Sequence, residues 1–304
     1  MELRHLRYFT AVVKWKGYRE ASRRLFVAQP AISQAVSDLE HELGVKLFSR
    51  AQRTARLTEE GALFYVEAVR TLEQAEIAMN TARRAAKGEI GRLSIGFLGP
   101  ATYSFLPELV RRFKALYPGV KLTLQDTIPL QLEQAFDQGT VDVAFTRALT
   151  PERSKTYSSH LIYKDPLMAV LPKSRLVKGE RVRIADLAND RFVLFYRDGS
   201  PALFDAITGL CNEAGFSPKI ENEPNVMQTV VSLVEADEGA GIVPASMRYL
   251  RADGCRFYRI RPDDVRIDLV MVWKTAEPSV VLKSFIDLVQ KHTPNIRKKA
   301  ELVS

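Results

Sequence analysis

The stretch GYREASRRLFVAQPAISQAVSDLEHEL, Gly17 to Leu43, carries two helical patterns with almost nothing between them. From Pro30 onward, Ile32, Val36, Leu39 and Leu43 recur at i, i+4, i+7 and i+11, which is one face of a helix. Pro30, Ser33, Gln34 and Ser37 fall on the opposite face, which is small, polar and nearly uncharged. Pro30 suits a first helical turn, because its missing N–H is one that a helix start leaves unpaired anyway. Upstream, Arg19 to Phe26 is a short helical run with Ala21 and Leu25 facing inward. Val27 and Ala28 leave room only for a tight turn. Two short helices, a tight turn and a polar second helix describe a helix-turn-helix, whose second helix enters the major groove.

An ordinary helical hairpin with a solvated face fits the same pattern, and charge separates the two. Residues 1–58 hold eleven Lys and Arg against five Asp and Glu; residues 59–90 hold four against six. The basic excess is concentrated at the start of the chain, as a phosphate-binding module requires. The 304 residues, 46% hydrophobic and 26% charged, suit two or three domains, and the net charge of +8 is compatible with a polyanionic partner. The start, MELRHLRYF, is charged from its second residue, without a signal-like apolar region. No apolar run approaches membrane-spanning length. A cytoplasmic protein with reduced thiols is expected, since Cys211 and Cys255 form no disulfide framework.

Leu3, Leu6, Phe9 and Val13 place an apolar stripe on a first helix, and Gly17 sits where a helix cap is wanted. After the second helix, GVKLFSRAQRTARLT reads as a two-stranded wing, with Leu47 and Phe48 apolar and a polar turn from Arg50 to Arg53. Arg50, Arg53 and Arg56 are candidates to touch phosphate or reach a minor groove. The segments MELRHLRYFTAV, EASRRLFVAQPAISQAVSDLEHELGVKLFSR and RLTEEG together resemble the winged helix-turn-helix of LysR-type transcriptional regulators. That resemblance runs from Met1 to Gly61 and implies a protein that binds double-stranded promoter DNA. This sequence departs from the family where Ser is frequent at position 28 and has Ala28, and where basic residues are frequent and has Gln34 and Ser37. The recognition helix is therefore less cationic than usual. Base-facing candidates are Gln29, Pro30, Ala31, Ser33, Gln34 and Ser37, and glutamine can bond adenine bidentately. Phosphate grip is assigned to Arg4, Arg23, Arg24, Arg50 and Arg53.

Thr58 can cap the next helix, with Glu59 and Glu60 at its positive end. From Ala62 to Lys87 there is neither Pro nor Gly. Ala62, Tyr65, Val69, Leu72 and Met79 fall near an a/d seam beside a stripe of small residues that includes Ala68, Ala75 and Ala82. A long helix with an open seam wants a partner, and the resemblance implies that two subunits pair through it. Lys87 to Gly91 ends it as a hinge. The boundaries expected are 1–58 for the winged helix-turn-helix, 59–89 for the linker and dimerisation helix, and 90–304 for an effector-binding domain.

Beyond Arg92, strand and helix alternate through LSIGFLG, TYSFLPELVRRFKALYP, VKLTLQD, PLQLEQAFDQG and VDVAFT, so a mostly parallel sheet is expected. The pattern restarts after Thr150 with YKDPLMAVLP, RFVLFY, SPALFDAITGLCNEAG and NVMQTVVSLVEADEG, and closes with DLVMVW and the helix SVVLKSFIDLVQKHT. Two α/β halves joined by crossing strands imply two subdomains with a cleft, one near 90–162 and 267–304, the other near 163–266. This resembles the family's effector domain, which is built like a periplasmic binding protein. The segments FLGPATY, FTRALTP, LFYRDGSPALFDAITGLC and IVPAS are most similar to regulators of benzoate, catechol and chlorocatechol degradation.

Ligands of open α/β sheets sit beyond the carboxyl ends of strands. Three helices are expected to begin there: after Gly99 and Pro100, at Pro129, and near Ser200. Helix starts favour anions, so a small carboxylate effector is expected, with no cofactor. Thr102, Thr127 and Ser200 offer hydroxyls, Arg147 a charge, and Phe204 and Val226 an apolar wall. Where the aromatic-degradation regulators carry hydroxyl residues at the first two helix starts, this sequence has Pro100 and Pro129, which argues against a muconate-like ligand.

No catalytic constellation stands out. His5, His41, His160 and His292 are scattered, no nucleophile elbow or phosphate-cradling Gly-rich loop is present, and no metal-ligand spacing occurs. Asp126, Asp142 and Asp165 read as turn and salt-bridge residues. A ligand-responsive transcription factor fits both modules, with self-association as a dimer of dimers and RNA polymerase as the family's further partner. The pathway is either aromatic-compound degradation or an unrelated metabolic or stress operon with a non-aromatic effector. An enzyme with a helical arm would need a catalytic pair, and a transporter's solute receptor would need a secretion signal.

Overall fold

The computed structural model describes all residues except 50–54, 128–130, 149–154, 251, 263–264, 277 and 302–304. The chain divides into two compact units, Met1–Arg84 and Ala85–Ser304.

In the first unit, α1 (Leu3–Lys14), α2 (Tyr18–Leu25) and α3 (Gln29–Leu43) follow the sequence patterns closely. Ile32, Val36 and Leu39 are buried as their spacing predicts, while Leu43 reaches the surface in the last turn before Gly44. Gly44 closes α3 at φ +71°, a left-handed cap that glycine adopts without strain. Phe9 is fully buried and holds the unit together, its ring 5.4 Å from Phe48 and 5.3 Å from Phe64. The wing begins as an antiparallel bridge between Phe48 and Leu57; its tip, with Arg50 and Arg53, lies outside the described residues.

Helix α4 spans Glu59–Ala86. Thr58 caps it as expected, its hydroxyl accepting the Gly61 N–H at 2.9 Å. The expected open seam is corrected. Phe64, Tyr65, Ala68 and Leu72 pack on the helix-turn-helix core, so Tyr65 and Leu72 are not free to pair subunits. Leu63, Val66, Ile77 and Met79 are the large apolar side chains left exposed on this helix. The seam assignment failed because one stripe of α4 was already claimed by its own unit.

The second unit has two apolar cores. The first is built on β1 (Ile90–Phe97), β2 (Gly119–Asp126) and β3 (Val143–Arg147), with the four-residue α5 (Gly99–Thr102), α6 (Leu106–Leu116) and α7 (Leu132–Asp137) between them. The long β4 (Tyr157–Pro172) then runs from this core into the second. There β5 (Arg181–Arg183), β6 (Arg191–Val193), α8 (Pro201–Glu213), β7 (Lys219–Asn222), α9 (Met227–Glu235), β8 (Ala240–Pro244) and β9 (Cys255–Arg261) follow. The chain returns through β10 (Arg266–Lys274) and closes with α10 (Val280–Glu301).

The sheet is mixed rather than mostly parallel. β1 pairs in parallel with β2 and β3, and β6 with β7 and β8. The crossing strands β4 and β10 are antiparallel to each other and to their neighbours β3, β8 and β9, because the chain passes between the halves and returns. Helix α10 also outruns its expected end at Thr293. Pro294 interrupts one backbone bond, but Ile296 is buried and Arg297 donates to the Ile162 and Leu161 carbonyls at 2.9 and 2.8 Å, so tertiary contacts carry the helix on. Among the described residues no helix is long and apolar enough to cross a membrane.

Candidate functional site

The polar face of α3 is open. Gln29, Pro30, Ala31, Ser33, Gln34 and Ser37 are all exposed, as the periodicity places them. Ala28 precedes the helix without a side-chain cap, so backbone N–H groups at this end stay available. Gln34 is less free than expected, because its amide donates to Asp38 at 2.7 Å one turn on. Arg23 and Arg24 both pair with Glu20, at 2.8 and 3.1 Å, and Arg4 approaches Glu2 at 3.4 Å. Arg23 and Arg24 hold the Glu20 carboxyl below its ordinary range. These pairs are exposed and weak, so phosphate can replace the carboxylates at little cost.

One functional residue escaped the sequence. Glu40 lies on the buried side of α3, and its Oε1 accepts the N–H groups of Leu47 (2.8 Å) and Phe48 (3.2 Å) while Oε2 takes Lys46 Nζ at 2.6 Å. Burial raises its carboxyl, but these donors outweigh burial and the net shift is downward. Glu40 thereby ties the recognition helix to the start of the wing. A charged residue in the stripe between Leu39 and Leu43 was the available signal.

In the second unit a cavity of about 290 Å³ opens between the two cores. That is the small end of ligand-pocket sizes, roughly 300–1,000 Å³. Gly99, Pro100, Arg147, Ser200 and Val226 line it, as expected. Ser200 directly precedes α8, and no side chain caps that helix start.

Four expectations need correction. Thr102 is fully buried, and its hydroxyl donates back to the Leu98 and Gly99 carbonyls, completing its own short turn instead of facing the cleft. Thr127 donates to Gln125 O and packs beside Gly96, off the cavity. Phe204 packs into the second core, and its neighbour Leu203 lines the cavity instead, because one residue along a helix turns the side chain by about 100°. Asp165 pairs with Arg147 as a salt-bridge residue but is not in a turn; it is buried within β4. Pro129 lies outside the described residues, although Gln131 just after it lines the cavity.

Asp165 organises the polar end of the cleft. Its carboxylate accepts the Ser246 N–H and hydroxyl at 3.2 and 2.7 Å and lies 3.6 Å from Arg147 Nη2. Burial pushes the Asp165 carboxyl up and the Arg147 charge opposes it. Arg147 Nη1 is buried without a hydrogen-bond partner among the described residues. Asp126 is corrected as well: expected as a turn and salt-bridge residue, it ends β2, lines the cavity and has no ion-pair partner among the described residues. Sequence reasoning missed Phe195, Gln228 and Ser246. Asp126 ends a parallel strand, so the rule of strand carboxyl ends was the signal for it. Among the described residues no His, Cys, Asp and Glu group could hold a metal ion.

Residues 3–62 match the family model described as bacterial regulatory helix-turn-helix protein, lysR family, and residues 86–294 match the LysR substrate binding domain. The chain is similar to the HTH-type transcriptional regulator AlsR of Bacillus subtilis, at 31% identity over 95% of each chain. It is 30% identical to CatR of Pseudomonas putida, over 95% of this chain and 98% of CatR. Among solved structures, full-length CbnR complexed with its target DNA superposes with a TM-score of 0.80 at 29% identity, over 96% of this chain and 100% of that one.

Proposed function

Because the chain belongs to the LysR family and is a DNA-binding transcriptional regulator, not an enzyme, we propose that a small carboxylate in the cleft of its second unit controls how it acts at a promoter. The observation that carries this is the cavity itself: one arginine with an unpaired terminal nitrogen, and Ser200 at an uncapped helix start, beside the apolar side chains of Leu203 and Val226. The acid sits near Arg147 and the start of α8, and the carbon skeleton lies on Leu203 and Val226. A cavity this small suits one ring or a short chain.

The target we favour is an operon for degrading aromatic compounds, which the protein activates. The likeness of FLGPATY, FTRALTP and IVPAS to regulators of that kind supports it. Effector chemistry is what separates this pathway from an unrelated metabolic or stress operon. The exposed Leu63, Val66, Ile77 and Met79 on α4 support pairing of two copies through this helix. In this reading two such dimers form a tetramer, occupy two operator sites and contact RNA polymerase. Effector binding changes the promoter complex only through unequal affinity for its two states.

The test is thermal unfolding of the full-length protein against benzoate, muconate, short aliphatic acids and the hydroxy and amino derivatives of these acids. Ligand at 100 times its dissociation constant stabilises the native state by about 2.7 kcal/mol. A shift that is lost in Arg147→Met supports the reading. The same shift in Arg147→Met, or no shift with any acid, defeats it.

A further inference from the structure

The charged groups that line the cavity among the described residues point to a more specific ligand than a simple acid. Arg147 is the cation among the lining residues and Asp126 the anion. Asp165, held by Ser246, lies 3.6 Å behind Arg147, so its charge is already largely answered. Among the described lining residues the cleft offers a ligand one cation, Arg147, and one exposed carboxylate, Asp126. The second acid of a dicarboxylate would have Asp126, not a second cation, to face among them.

Asp126 sits at the exposed edge of the cavity, at the end of β2, with no ion-pair or hydrogen-bond partner among the described residues. Its Oδ2 lies 3.3 Å from where a Cβ on Gly99 would stand; Tyr103 Oη is equally close to that point and Gln228 Nε2 is 3.7 Å from it. Three polar groups thus converge over Gly99, which has no side chain to displace them. The same carboxylate stands at the start of α5, whose second residue, Pro100, has no N–H to give. That helix start is therefore no open anion site, contrary to the pattern of the sequence. The exposed Asp126 carboxylate offers an acceptor at the mouth of the cleft, and the more buried Arg147 offers donors.

The geometry points to an effector that carries one acid group and one hydrogen-bond donor: a hydroxy acid or an amino acid, not a plain monoacid or a dicarboxylate. Arg147 takes the acid and Asp126 takes the hydroxyl or ammonium. This rests on the cleft being the effector site.

The experiment uses full-length protein and two matched ligand sets, in calorimetric titration or thermal shift at millimolar concentration. One set is benzoate, 3-hydroxybenzoate, 3-aminobenzoate and isophthalate; the other is butyrate, 3-hydroxybutyrate, 3-aminobutyrate and glutarate. In the wild type a donor-bearing member of one set is expected to bind at least about tenfold more tightly than its plain acid and its diacid, the usual range for one added charge-assisted bond. Preference for hydroxyl over amine, or the reverse, then identifies the donor, which is a neutral amine in 3-aminobenzoate and an ammonium in 3-aminobutyrate. In Asp126→Asn that preference over the plain acid collapses toward unity and the diacid gains. A diacid or plain acid that binds the wild type best, or a preference that survives Asp126→Asn, overturns this proposal and leaves the effector cleft standing. Absence of binding by every acid overturns both.

Discussion

Replacing Glu40 should detach the wing from the recognition helix without touching either surface. The Leu47 and Phe48 N–H groups are buried and depend on this carboxylate. Glu40→Ala leaves both unpaired, at ~1–3 kcal/mol each, so the first unit should lose about 2–6 kcal/mol. The Lys46 contact adds little, since that amine is 52% exposed and such pairs contribute at most ~1 kcal/mol. Glu40→Gln keeps an acceptor oxygen but loses the charge that roughly doubles each bond, so about 1–2 kcal/mol is expected. The chain has two tryptophans, Trp15 and Trp273, one in each unit. Urea unfolding followed by Trp15 in a Trp273→Phe background reports the first unit, and the reciprocal background reports the second. The Trp15 transition should move in the order Ala, Gln, wild type, and the Trp273 transition should stay in place. Because the folded state holds the Glu40 carboxyl below its ordinary value of 4.5, its contribution is present above that value and is lost as pH falls through the lower folded value. The gap between wild type and Glu40→Gln should therefore close in acid. If both variants stay within about 0.5 kcal/mol of wild type at pH 7, or the gap widens as pH falls, the role assigned to Glu40 is refuted.

Four other outcomes follow from the geometry. Gly61→Ala would place a Cβ 2.1 Å from the Leu47 carbonyl oxygen, a backbone atom that cannot swing away; a loss of about 1–3 kcal/mol from the Trp15 transition is expected, and an unchanged midpoint would show that the α4 contact is loose. Glu20→Gln frees Arg23 and Arg24, so affinity for any duplex should rise and fall more steeply with salt; an unchanged salt slope removes both arginines from the phosphate contacts. Gln29→Ala and Ser33→Ala should weaken operator binding by about 1–3 kcal/mol and spare random duplex, and equal losses on both would exclude base readout there. Burial raises the Cys211 and Cys255 thiols to about 11, so neither should react with a thiol reagent at pH 7.5 until the protein unfolds; rapid labelling of native protein would contradict this.

The amino-acid sequence by itself determined the helix-turn-helix. Its evidence is local: a helix buries the stripe its spacing dictates, so Ile32, Val36 and Leu39 went in and Gln29, Ser33 and Ser37 stayed out. The alternation of strands and helices likewise fixed two α/β halves, because each element must cover an apolar face. Facing within the cleft was a different matter. Arg147, Ser200 and Val226 meet there from distant segments, whereas Thr102 turns back on its own backbone and Leu203 displaces Phe204. Adjacent residues on strands and helices look alike in sequence, and only packing against the rest of the sheet decides which of them reaches the cavity. The same holds for α4, where the helix-turn-helix core claimed Tyr65 and Leu72, and for the buried carboxylates. Glu40 and Asp165 read as ordinary charges until the tertiary structure brings Leu47, Phe48, Ser246 and Arg147 to them, because burying a charge is tolerable only where such partners converge.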